Sequence, residues 1–393
     1  MSVPVGLVNI VNQKSDKNFT VPLDLSDLLH WRSTPFILGF FVFVVGSAQT
    51  FGMPVSCFIP TEVDRIGSWK SYIYSFCFLE GTYVLNHNET LAKMPESLRK
   101  IRKMENGIEY YQWVPFFLMF QGVCFLVPAL LWRYSRSLLY LDLDTVLKTS
   151  DAIKDSIVDS QAKNEKLDQL SGYLYESLHN SYQSTMDRHW LTMCYILAKI
   201  ASLVNSIQQF ILVMSFMGID DVFWGYYILE STRLGYTTSE FFPLNVLCDV
   251  KIEGMAQSNT HTLQCLLSLN FFHDKIFAFL WFWYLLLIMS SVISIVSFIF
   301  VLIPHSSRLD RILPNEIIQS NSRLIHSFYS DILFSDGLLA LTFISKMKGP
   351  QIAQEIATKL FEKYAAGKTI SAWRYPDSFS KKHRSPRVEF KKS

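Results

Sequence analysis

Four stretches of the chain are almost free of charge, and polar segments separate them. The clearest runs from Tyr110 to Trp132 without a charged side chain. A helix crossing the ~30 Å hydrocarbon core of a bilayer needs about 20 residues, so this run is long enough. Its start, Tyr110-Tyr111-Gln112-Trp113-Val114-Pro115, sets three aromatic rings where a headgroup layer should lie. Pro115 is tolerated in the first turn of a helix, where the N–H has no intrahelical partner. The first stretch follows Arg32: no charge occurs from Ser33 to Thr61, and Pro35 to Val45 is strongly apolar. The third, Trp190 to Ile219, is interrupted only by Lys199, and the fourth runs from Ile276 to Pro304. An ionisable residue inside a span is a functional candidate by default. Lys199 lies near one end of its stretch, so snorkelling or a buried pair is expected ahead of a permeation role.

The polar segments have their own patterns. Met1 to Gln13 is uncharged and rich in Val, Leu and Ile, which predicts an amphipathic segment on the bilayer or against its own protein. Between residues 133 and 189, Val146, Ile153, Ile157, Leu167, Leu170, Leu174 and Leu178 recur at helical spacing among Asp and Lys. Ile317, Ile318, Leu324 and Ile325, then Ile352, Ile356, Leu360 and Phe361, predict further helices. From Lys368 the tail turns basic, with the composition of a disordered segment.

The predicted fold class is therefore an all-α membrane protein, a four-helix transmembrane bundle with a helical cytosolic domain. The expected division is an N-terminal segment 1–32, spans 33–54, 110–132, 190–219 and 275–304, external loops 55–109 and 220–274, a cytosolic helical loop 133–189, a cytosolic helical region 305–367 and a tail 368–393. Composition agrees: half of the 393 residues are hydrophobic, 15% are aromatic and only 18% are charged. The net charge of +2 points to no nucleic-acid partner. Residues 1–31 show no cleavable signal pattern, so the first span is expected to act as a retained anchor.

Orientation follows from charge and chemistry. The region after the fourth stretch holds fifteen Lys and Arg, and residues 220–274 hold two, which places the former in the cytosol. Both termini are then cytosolic. Residues 57–109 carry seven Lys and Arg, against the rule, yet must lie outside with the other loop. Cysteines and the sequon Asn88-Glu89-Thr90 settle that conflict, because both make sense on the oxidising, glycosylating side. A second sequon, Asn18-Phe19-Thr20, would be cytosolic and unused.

Of six cysteines, Cys124 and Cys194 fall in spans and read as buried thiols. Cys57 and Cys77 stand in the first external loop, Cys248 and Cys265 in the second, and four cysteines permit three pairings. Their spacing fits no metal site. No metalloprotease, phosphate-loop or nucleophile-elbow motif occurs, which argues against an enzyme, and nothing calls for a cofactor. His30, His189 and His305 stand near predicted membrane ends, where a structural role is expected.

Several short motifs resemble those of innexins, the invertebrate gap-junction proteins related to pannexins. Tyr110 to Pro115 is similar to their YYQWV signature, and Gly81-Thr82-Tyr83 follows Cys77 as it does there. Pro243 with Cys248-Asp249 resembles their second-loop element, and Leu269-Asn270-Phe271-Phe272 leading into Phe279 to Trp283 resembles the start of their fourth span. Asp336-Gly337-Leu338-Leu339 and Leu360-Phe361 with Tyr364 resemble their tail. Leu244, Val250 and Met53 depart from the common pattern near the external face.

The resemblance implies disulfides Cys57–Cys265 and Cys77–Cys248. It implies an N-terminus folded into a pore, with Met1, Ser2, Val3 and Val5 lining it. It also implies a ring of identical or related subunits in the plasma membrane, docked to a ring on the adjacent cell and passing ions and small metabolites. Asn88 would carry a glycan, and a bulky glycan there favours an undocked, pannexin-like channel as the rival. Tetraspanins and claudins represent a rival class of four-span scaffolds, but their cysteine patterns differ from this one.

Overall fold

A computed structural model describes residues 24–59, 68–84, 107–108, 110–137, 142–155, 160–181, 189–235, 239, 241–253, 258–302 and 322–374. The chain divides into two compact units, residues 1–131 with 198–297, and residues 132–197 with 298–393.

Helix α1 (Leu25–Phe51) begins ahead of the expected membrane edge at Ser33 and contains a π-helical turn over Leu29–Ser33. Strand β1 (Val55–Cys57), helix α2 (Ser68–Glu80) and strands β2 (Thr82–Tyr83) and β3 (Gly107–Ile108) follow. A 3₁₀ turn at Tyr110–Gln112 leads into α3 (Val114–Ser137), which accommodates Pro115 in its first turn and Pro128 inside. Then come α4 (Leu143–Asp155), α5 (Ser160–Ser181), α6 (Trp190–Met217), α7 (Trp224–Arg233), β4 (Asn245–Glu253), β5 (Ser258–Leu267) and α8 (Leu269–Leu302). The described chain closes with α9 (Ser322–Phe328), a π turn (Tyr329–Leu333), α10 (Phe334–Lys348) and α11 (Pro350–Arg374).

In the first unit, α1, α3, α6 and α8 contribute to one apolar cluster that includes Leu38, Leu118, Phe125, Val213, Phe277 and Leu287. Their other faces leave large apolar side chains uncovered, such as Phe36, Phe43, Met119, Ile211, Met289 and Ile293. Exposed apolar surface on this scale is what a lipid solvent covers. The backbone of such a helix satisfies its own hydrogen bonds, as a bilayer demands.

The chain is mostly helical, but its cysteine-bearing segments form a five-stranded sheet in the order β1-β5-β4-β2-β3, every pairing antiparallel. The signal lay in Cys248, Val250 and Ile252, which alternate with Asp249, Lys251 and Glu253 at the period of a strand. The strands pair Val246 with Cys265 and Cys248 with Leu263. Val55, Ile73, Tyr111, Val250, Leu263 and Leu267 fill a second apolar cluster beside the sheet.

The second unit buries the periodic positions of α4, α5 and α11: Val146, Ile153, Leu167, Leu170, Leu174, Ile352 and Ile356. Asp142 starts α4 by accepting the amides of Asp144 and Thr145. Ile157, Ile317 and Ile318 lie outside the described residues.

Among the described residues, five helical stretches are long and apolar enough to cross a membrane: the four expected ones and Leu324–Lys348. Its situation differs from the others. It is broken by the π turn and by Phe334, whose φ is 41°. Leu338, Leu339, Ala340, Leu341, Phe343 and Ile344 are all buried. A helix apolar on every side is either a span or the centre of a packed unit, and here its own unit covers it.

Candidate functional site

The disulfides tie the sheet together. Cys57 on β1 is bonded to Cys265, its register partner on β5. Cys77 on α2 is bonded to Cys248 on β4. The bonds join residues 208 and 171 positions apart, so both cross from one loop segment to the other. The sulfurs of Cys57, Cys77 and Cys265 lie within 4.8 Å of one another, so the two bridges are neighbours. With α2, β1, β4 and β5 joined in this way, the two loops form one cap.

The Tyr110 to Pro115 stretch is a clamp on that cap. The last carbonyls of a helix have no intrahelical donor. Those of α2 find donors here: the Tyr111 hydroxyl donates to the Phe78 carbonyl at 3.0 Å, and the Gln112 amide donates to the same oxygen at 2.6 Å and to that of Leu79 at 3.2 Å. Gly81 follows α2 at φ 89°, the left-handed conformation that glycine adopts without a Cβ penalty. From below, Gln49 of α1 donates to the Tyr111 carbonyl at 2.8 Å. The Tyr110 hydroxyl donates to Asn270 of α8 at 3.3 Å, and Asn270 donates to the Pro243 carbonyl at 2.8 Å. Trp113 remains mostly exposed, and Pro115 is buried.

The other short motifs also acquire contacts. Asp249 accepts from Thr262 at 2.6 Å and from the Tyr83 hydroxyl at 3.1 Å, which joins β2, β4 and β5. In the second unit, Asp336 accepts the amides of Leu191 and Thr192 at 3.1 and 3.0 Å and the Thr192 hydroxyl at 2.6 Å. It thereby caps the first turn of α6 from another helix. A Cβ on Gly337 would stand 3.1 Å from Leu178 Cδ1, which explains the small residue after Asp336.

A polar seam runs through the apolar bundle of the first unit. Lys199 of α6 donates to Asp27 at 2.8 Å, to Asp24 at 2.9 Å and to the Ser294 hydroxyl at 2.7 Å. Of the two sequence-level readings of Lys199, the buried pair is the one present. Ser202 accepts from the Trp31 indole at 3.2 Å. His30 meets Ser291 at 2.6 Å and Ser206 at 3.2 Å. Further along, the Tyr284 hydroxyl donates to Gln121 at 3.0 Å. Positions 199, 202 and 206 share one face of α6, a spacing visible in the sequence, whereas nothing there singled out Asp24 and Asp27. His30 is buried structurally, and His189 meets Ser335 at 2.6 Å while staying exposed.

Met1, Ser2, Val3, Val5, Asn88 and His305 lie outside the described residues. Among those described, the clamp, the cap and the seam are the concentrated polar features of the first unit, and none resembles a catalytic constellation.

Helices long and apolar enough to cross a membrane, a disulfide-stapled cap built from two separate loops and polar contacts buried between those helices are the features of a multi-span membrane protein. A model of the family described as Innexin matches residues 24–364. Innexin-14 of Caenorhabditis elegans is 29% identical over 386 residues, covering 86% of each chain. Innexin-3 of the same organism is 28% identical over 359 residues, with 87% of this chain and 83% of the relative covered. Innexin unc-9 is 26% identical over 374 residues, with 89% and 94% covered. The chain belongs to the innexin family, whose members form plasma-membrane gap-junction channels and are channel proteins, not enzymes.

Proposed function

We propose that the chain is one subunit of a ring-shaped, large-pore channel. Its four spans are α1, α3, α6 and α8, its two termini are cytosolic and its cap faces the outside. Two rings on apposed cells dock through their caps and pass ions and small metabolites. The observation that carries this reading is the cap itself, in which Cys57–Cys265 and Cys77–Cys248 fuse two distant loops into one platform. A docking face must keep its shape against a partner ring, and cross-links limit the conformations that compete with it. The uncharged N-terminal residues, Val3 and Val5 among them, form a weakly selective constriction, since selectivity follows pore width and lining charge.

Paired-cell electrical recording tests the docked channel. Junctional current is expected when both cells express the protein, and its absence alongside single-membrane current would reject docking. Val3→Asp and Val5→Asp are expected to change unitary conductance or ion preference, and unchanged currents would remove the N-terminus from the pore.

The sequon at Asn88 favours a second reading, an undocked channel whose glycan blocks ring-to-ring contact. Comparing wild type with Asn88→Gln separates the two. Coupling in wild type that carries the glycan excludes the block, and coupling gained only in Asn88→Gln establishes it.

A further inference from the structure

The outward face of α7 is left uncovered by the described residues, and its position gives its occupant. Two rulers measure that position, and both start at the 2.7 Å bond between Lys199 and Ser294. Along α6, Met217 is eighteen residues from Lys199, roughly 27 Å at 1.5 Å per residue. Along α8, Trp281 is thirteen residues from Ser294, about 20 Å, and Lys275 is nineteen, about 28 Å. The Trp281 indole donates to the Val222 carbonyl at 2.9 Å, and the Lys275 ammonium donates to Thr232 at 2.9 Å. So the chain leaves α6, turns through Gly218 to Asp221, dips back to the level of Trp281, and climbs along α8 to the level of Lys275. A Cβ on Gly225 would fall 2.3 Å from Trp281 Cγ, so the α7 backbone rests directly on that ring.

The inner side of α7, Trp224 and Ile228, belongs to the apolar cluster of the spans. The outer side presents Phe223 at 62% exposure and Tyr226 at 54%, with Tyr227 and Leu229 beside them. Charge enters at the upper end, where Arg233 pairs loosely with Glu230 at 3.9 Å and Lys275 stands near. Asp220 and Asp221 are exposed in the turn itself, and Asp221 accepts the Phe223 amide at 2.9 Å. Along α7 itself, aromatic groups at the Phe223–Tyr226 end and charged groups at the Glu230–Arg233 end follow the order of a lipid monolayer, with acyl chains inside and phosphates outside. Asp220 and Asp221 belong to the turn that precedes the helix.

We propose that α7 is a lipid-contact element: its Phe223–Tyr226 end is immersed in acyl chains of the cap-side leaflet, and its Arg233 end lies among the headgroups. This rests on reading α8 as a membrane span. A subunit surface of this kind would make the cap's attachment to the spans sensitive to the lipid around the ring.

The test is spin-label accessibility on the assembled protein in phosphatidylcholine nanodiscs. Cys124→Ala and Cys194→Ala remove the free thiols and leave both bridges. Nitroxides at Phe223→Cys, Tyr226→Cys and Arg233→Cys are compared with one at Met289→Cys, an exposed position on α8. Expected is collision with oxygen exceeding that with a water-soluble nickel chelate several-fold at 223 and 226, and the ratio reversing at 233. Chelate-dominated collision at 223 and 226 overturns the inference, and so does shielding from both reagents, which would mean that a second copy covers the face. Chelate access at 289 as well would instead defeat the reading of α8. Hydroxyl-radical footprinting of the unlabelled wild type guards against a variant that does not assemble. Tyr226 and Tyr227 are expected to react several-fold more slowly than the exposed Tyr72, and equal reactivity overturns the inference.

Discussion

The Lys199 ammonium of α6 lies 2.8 Å from the Asp27 carboxylate of α1, and both side chains are 3% exposed. Asp24 approaches the same ammonium at 2.9 Å but is partly open to solvent. Removing one member of a buried pair strands the other charge, at a cost of about 3–5 kcal/mol. Lys199→Met, which leaves two carboxylates facing an apolar side chain, is therefore expected to lower thermal stability markedly. Asp27→Asn is expected to cost less, because Asp24 still answers the ammonium. Exchanging the pair, Lys199→Asp with Asp27→Lys, should recover part of the loss. Melting of the purified assembly, followed by size-exclusion fluorescence, measures all three, and equal melting of Lys199→Met and wild type would discard the pair as a stabilising contact.

The clamp on α2 predicts a graded effect. Tyr111→Phe leaves the Phe78 carbonyl with Gln112 alone, so about 1 kcal/mol of local stability is expected to go. Tyr111→Phe with Gln112→Leu empties both donors and should cost more than the sum of the two single changes, since each donor covers for the other. Hydrogen exchange over Ser68–Glu80 reads the fraying directly. Unchanged exchange in the double variant would show that those carbonyls are satisfied in another way.

The bridges predict a defined map. Peptide mapping without reduction is expected to give Cys57 with Cys265 and Cys77 with Cys248. A peptide joining Cys57 to Cys77 would contradict the sheet register as well as the pairing. Replacing Cys77 and Cys248 together by Ser should cost about 2–4 kcal/mol, because the cross-link restrains the unfolded chain. Proteolysis of the cap in the paired variant, compared with wild type, measures that loss.

Asp336 predicts a helix-start effect. Asp336→Ala leaves the Leu191 and Thr192 amides without their acceptor, and losing such a cap costs about 0.5–2 kcal/mol. Asp336→Asn keeps one acceptor oxygen and should fall between. Exchange of the amides at residues 191 and 192 is the readout, and equal protection in Asp336→Ala and wild type would remove the capping role.

The spans were legible because hydrophobicity accumulates locally. Twenty-three uncharged residues from Tyr110 to Trp132 need no knowledge of the fold to exclude a polar environment. The same local criterion also admits Leu324–Lys348, and there it is insufficient. Composition cannot distinguish an apolar helix covered by lipid from one covered by protein, and only its neighbours make that difference. The strand alternation at Cys248–Glu253 was likewise in the sequence, hidden inside segments that read as polar loops.

The motif residues illustrate the other limit. Tyr111, Gln112 and Asp336 were conspicuous as patterns, but their role depends on donors and acceptors brought from distant parts of the chain, 33 residues away for Gln112 and 144 for Asp336. Asp24 and Asp27 stood in an unremarkable polar stretch until the fold set them against Lys199, 175 and 172 positions on. The amino-acid order by itself determined which segments can live in a bilayer, where polar backbone has to be hidden within a helix. It did not determine which of three cysteine pairings forms, which carboxylates hold Lys199, or what α7 leans on. Those depend on distances between remote residues, and only the packed chain fixes them.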